Sequence, residues 1–177
     1  MESCRGPAEA GDSEPIRAGR GDTRGARVAS ILVAEDDADV RHLLTHTLVE
    51  AGYEVAAARD GETALQMALA SRPDVVVLDL MLPGMDGFQV LAEILACGLT
   101  ERIKVLVLTA RGAEQDWQRA FELGAMRYVT KPFDPNELTD TVAELLRLPV
   151  TELAAQREHQ RDQARLLSQL ESLFDGP

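Results

Sequence analysis

The chain has 177 residues, with 30 acidic side chains against 18 Lys and Arg, for a formal net charge of -12. That length fits one ordinary domain with appendages, and the acidic balance argues against direct binding to nucleic acid or an anionic membrane surface. There is no apolar run near the ~20 residues of a membrane span and no apolar signal core at the N-terminus, so the expected compartment is the cytoplasm.

Residues 1–27 have little apolar periodicity, and their five acidic and five Arg residues cancel. They read as a disordered arm. Residues 28–148 carry 20 acidic and 10 basic residues, and here short apolar runs alternate with amphipathic stretches. Strands are expected at 29–34, 54–57, 75–78, 104–108 and 127–130. Helical stripes fall between them: Val40, Leu43, Leu44 and Leu48, then Phe88, Leu91, Leu95 and Gly98, then Leu138, Val142 and Leu145. Asp86 with Gln89 and Asp134 with Glu137 have capping-box spacing, and Pro135 suits a first helical position. Cys97 falls in an apolar helix and reads as core filling. With Cys4 it makes a pair too small for a disulfide framework.

Five strands alternating with five helices demand an α/β domain, a doubly wound parallel sheet with helices on both faces. Residues 149–177 follow Pro149 and read as an amphipathic C-terminal helical extension to about residue 173. Leu153, Gln160, Leu167 and Phe174 fall at heptad spacing, but the polar middle argues against a stable coiled coil. The segment is expected to be a linker, a docking helix or a short coiled-coil segment.

In such sheets, chemistry collects at the carboxyl ends of the strands. Those ends carry Glu35-Asp36-Asp37, Asp79, Thr109-Ala110 and Lys131-Pro132. Carboxylates, a hydroxyl and an ammonium therefore converge on one rim. Clustered carboxylates repel, and a hard divalent cation with oxygen ligands resolves the conflict. Mg2+ suits such a site. A carboxylate beside it can attack phosphorus while metal and ammonium neutralise the equatorial oxygens. Lys104 and Lys131 are the only lysines among 18 cationic side chains, and a compact ammonium suits a point contact to a phosphoryl oxygen.

The stretches 31–37, 79–87, 108–110, 124–125 and 128–133 together resemble the receiver domain of two-component response regulators, over essentially all of 28–148. The resemblance implies a flavodoxin-like (βα)5 fold with strand order 2-1-3-4-5. It implies that Asp79 accepts a phosphoryl group from a phosphohistidine on a sensor histidine kinase or a histidine phosphotransfer protein. It implies Mg2+ held by Asp36, Asp79 and the backbone carbonyl of Met81, with Glu35 assisting through water. Lys131 would contact the phosphoryl group. Thr109 and Tyr128 would switch, reshaping the face built from the fourth helix, fifth strand and fifth helix. The Lys131-Pro132 peptide would be cis.

Trp117, four residues before Phe121, is either a core residue or a candidate partner contact on that face. His42 and His46 share one side of the first helix at a spacing that admits a metal, but with no evident third ligand they read as solvated or rim residues near a kinase helix. Asp37 reads as a solvated helix-start carboxylate. The fourth and fifth helices lack the full set of paired charges that the winged-helix transcription-factor subgroup uses to dimerise, although a phosphorylation-dependent dimer stays open.

Two outputs compete. In one, the chain is a phosphoacceptor switch, not an enzyme, acting on a downstream protein partner or fused output domain. In the other, it is the regulatory front of a multidomain enzyme, such as a cyclic-dinucleotide synthase or a phosphatase. The 29 residues after 148 are too few for a DNA-binding domain, so no direct nucleic-acid contact is expected. A haloacid-dehalogenase-type hydrolase would need an acid at Met81, and a dehydrogenase would need a G-x-G-x-x-G after the first strand. Both readings fail.

Overall fold

The computed structural model describes residues 27–110 and 114–148. The expected C-terminal helix and all of the expected arm except Arg27 lie outside the described residues. The strands are β1 (Ser30–Ala34), β2 (Glu54–Ala58), β3 (Val75–Leu78), β4 (Lys104–Thr109) and β5 (Arg127–Thr130). The helices are α1 (Ala38–Glu50), α2 (Gly61–Ser71), α3 (Gly87–Ala96), α4 (Glu114–Glu122) and α5 (Pro135–Arg147), with a short 3-10 turn at Leu99–Glu101. All strand pairs are parallel, in the order β2-β1-β3-β4-β5. This is the expected doubly wound fold.

Two apolar layers sandwich the sheet. In β1, Leu32 and Ala34 face one layer with Ala64, Phe88, Leu91 and Ile94, beneath α2, α3 and α4. Ile31 and Val33 face the other, with Leu44, Leu48, Leu138 and Val142 of α1 and α5. This alternation follows from the two-residue period of a strand. Because both faces are covered, β3 can be Val-Val-Val-Leu and wholly buried. Cys97 packs against the first layer.

Local chemistry fixes the helix starts. Asp37 caps α1 by accepting from the Asp39 and Val40 amides, and Asp60 caps α2 through Thr63. Asp86 and Gln89 close a full capping box on α3, at 2.8 and 3.0 Å. Asp134 instead caps α5 through the Asn136 amide, one residue short of the Glu137 position that a capping box uses. Leu43 departs from the expected stripe. It is 45% exposed, and the inward face of α1 is carried by Leu44 and Leu48.

The amino-end pole of the sheet has its own ties. Asp74 accepts from Arg27, from the Ser30 amide and from the Ser30 hydroxyl. Lys104, at the start of β4, donates to the carbonyls of Leu146 and Leu148 at 3.0 and 2.8 Å. It thereby satisfies acceptors that the end of α5 leaves open.

Candidate functional site

Glu35, Asp79 and Lys131 are each held by the parallel ladder running one step past their strands. The Glu35 amide donates to Ala58, the Asp79 amide to Ala34 and the Lys131 amide to Thr109. Glu35, Asp79 and Thr109 are consequently buried, while Asp36 opens to solvent. Ligand oxygens of Glu35, Asp36 and Asp79 all lie within 4.8 Å of one another. Lys131 Nζ donates to Glu35 Oε2 and Asp79 Oδ2, both at 2.6 Å. The Lys131-Pro132 peptide is cis.

Burial pushes the Glu35 carboxyl above its usual range, against the opposing pull of Lys131. Burial alone would lower the Lys131 ammonium. Its bonds and charge contacts with Asp79 and Glu35 outweigh that effect and hold it above its usual range. Three carboxylates against one ammonium leave two negative charges in the pocket. An all-oxygen donor set with that residual charge fits Mg2+.

The loop after β3 is set by close backbone approach. The Met81 amide donates to Asp79 Oδ1 at 2.9 Å, while the Met81 side chain is exposed at the rim. A Cβ on Gly87 would collide with the Asp79 carbonyl oxygen and lie 2.6 Å from Leu80 Cα. A Cβ on Gly61 would likewise collide with the Met85 carbonyl. Glycine is therefore needed where α2 and α3 back the loop.

One contributor is absent from the sequence reading. Arg41 Nη1 donates to the Glu35 and Asp36 carbonyls at 2.8 and 2.9 Å, tying the acidic turn to α1. Its only sequence signal is its place as the single cation of α1. Asp37 is the solvated cap it was expected to be.

Two further expected residues lie on β5 and α4. Tyr128 is half-buried on β5 and packs against the α2, α3 and α4 layer. Trp117 is 48% exposed on α4, edge-on to Phe121 with ring centroids 4.9 Å apart. This favours the surface reading over the core one. Arg119 stacks over Phe88 at 4.3 Å, fastening α4 to α3.

A family model described as the response regulator receiver domain matches residues 31–143. The chain belongs to the response regulator receiver family. The receiver is 38% identical over 117 residues to the phosphate regulon transcriptional regulatory protein PhoB of Escherichia coli K12, covering 66% of this chain and 51% of that protein. It is 42% identical over 117 residues to the alkaline phosphatase synthesis transcriptional regulatory protein PhoP of Bacillus subtilis 168, covering 66% and 48%. It thus spans about half the length of the curated relatives it matches. Among solved structures, Vibrio cholerae chemotaxis protein CheY4 superposes with a TM-score of 0.63 at 32% identity, covering 67% of this chain and 98% of that one. These likenesses place the receiver in two-component signalling. Among its described residues, no helix is long and apolar enough to cross a membrane.

Proposed function

We propose that residues 28–148 form a phosphorylation switch in which Asp79 accepts a phosphoryl group from the phosphohistidine of a sensor kinase or phosphotransfer protein. The observation that carries this reading is Lys131 Nζ lying 2.6 Å from both Asp79 Oδ2 and Glu35 Oε2, beside Asp36.

Asp36, Asp79 and the Met81 carbonyl would hold Mg2+, with Glu35 acting through water. The bound ion would neutralise charge on the phosphoryl oxygens. A carboxylate oxygen of Asp79 attacks phosphorus in line, the P–N bond breaks, and its electron pair returns to the donor imidazole. Lys131 steadies charge on the transferring group. Water later cleaves the acyl phosphate and restores the carboxylate. The chain acts on its own Asp79 and is a switch, not an enzyme.

The readout is assigned to the α4, β5 and α5 face. Thr109 would move toward the phosphoryl group and Tyr128 would turn inward, altering a surface that includes Trp117. A downstream protein or fused output domain would read it, with dimerisation as one form of response. PhoB and PhoP are transcriptional regulatory proteins, which lends no support to the enzymatic output considered from sequence. A nucleic-acid contact, if made, belongs to chain beyond the receiver. The cytoplasm is the assigned compartment.

Intact mass after incubation with Mg2+ and a small-molecule phosphodonor tests the reading. One added phosphoryl group in the wild type and none in Asp79→Asn is the expected result. Equal labelling in that variant would move the acceptor elsewhere.

A further inference from the structure

We infer that the exposed side of α1 carries a transition-metal site, separate from the strand-end carboxylates, in which His42 and His46 bind a Zn2+-class ion. Asp39, His42, His46 and Glu50 follow one another at helical spacings of three, four and four. They make one stripe, and all four are exposed. The two imidazoles are already adjacent, with centroids 6.2 Å apart and planes tilted by 47°. Glu50 Oε2 lies 3.3 Å from His46 Nδ1.

That contact places a carboxylate beside one imidazole of the pair. Carboxylates so placed orient metal-bound histidines through the ring nitrogen that does not bind the metal. The one cation of α1 does not compete, because Arg41 is drawn to the Glu35 and Asp36 carbonyls. The stripe therefore offers two imidazole nitrogens between two carboxylates. Imidazole suits Zn2+, Cu2+ and Ni2+, whereas Mg2+ prefers oxygen. The two sites thus sort metals by donor chemistry. Glu50 is a positioning residue, and water completes the coordination.

The test is calorimetric titration of the full chain with ZnCl2 in excess Mg2+, which keeps the strand-end carboxylates engaged. Wild type is expected to bind one Zn2+ that a His42→Gln, His46→Gln double variant does not. Glu50→Ala is expected to keep that stoichiometry with affinity about 10-fold weaker or more. Circular dichroism should show all three proteins equally folded. A wild type without Zn2+ binding, or a double variant with the wild-type isotherm, would overturn the site. An unchanged affinity in Glu50→Ala would remove the role given to Glu50.

Discussion

Lys131 and Asp79 follow strands that do not pair with each other, yet the ammonium lies 2.6 Å from the carboxylate. The side chain reaches past β4, whose last residue is Thr109, and also meets Glu35 beyond β1. One cation thus bridges two buried carboxylates from different strands.

Lys131→Ala should therefore destabilise the fold as well as the chemistry. Removing one partner from a buried ionic cluster costs about 3–5 kcal/mol. Urea unfolding without divalent ions should show a loss of that order, and saturating Mg2+ should recover part of it. Mg2+ binding itself is expected to persist. An unchanged urea midpoint would mean that the ammonium contributes little to holding the pocket.

Stability should also respond to pH through Glu35. Its folded carboxyl is raised by burial, so between the ordinary glutamate range and the raised value the folded state holds the proton more firmly than the unfolded chain. This makes its contribution less favourable as pH rises through that window. The stability of wild type relative to Glu35→Gln should fall as pH climbs from about 4.3, then level off. Urea midpoints for both proteins across that range decide the sign. A difference that grows in favour of wild type would contradict the burial argument.

Gly87→Ala tests the packing behind the acceptor. The added methyl would press on the Asp79 carbonyl and on Leu80. Overpacking of this kind costs about 1–3 kcal/mol. Calorimetry should find weaker Mg2+ binding as well, because the displaced backbone carries Asp79. Full retention of both properties would show that the loop yields more easily than its geometry implies.

Lys104→Met removes an ammonium at the opposite pole while keeping the aliphatic stem. The Leu146 and Leu148 carbonyls lose their donor, a change worth about 1–3 kcal/mol when the acceptors stay desolvated. Hydrogen exchange should quicken in the last turn of α5. Labelling at Asp79 should be untouched, so a variant that lost it would reveal long-range coupling.

The sheet was readable because β3 is a continuous apolar run and because every rim residue stands at or just beyond a strand end. Strand order and the cis Lys131-Pro132 peptide came from family resemblance, since neither has a residue-level cause in the pattern. Arg41 was not readable because its partners are backbone carbonyls, which any residue type supplies. The need for Gly61 and Gly87 depends on which loop folds against them. Leu43 was misplaced because spacings of three and four residues also admit the edge of a helical face, and only the packed neighbours decide which edge is covered.

The ties at the amino-end pole bear on how this unit joins other chain. Arg27 enters beside Asp74 and Ser30, and Leu148 leaves beside Lys104, whereas the carboxylates stand at the far ends of the strands. Both junctions thus stand at the pole of the sheet opposite the acceptor. A dye, tether or fused module at either junction can be placed without shielding Asp79 from an incoming phosphodonor, which makes the unit a natural plug-in part for synthetic signalling circuits.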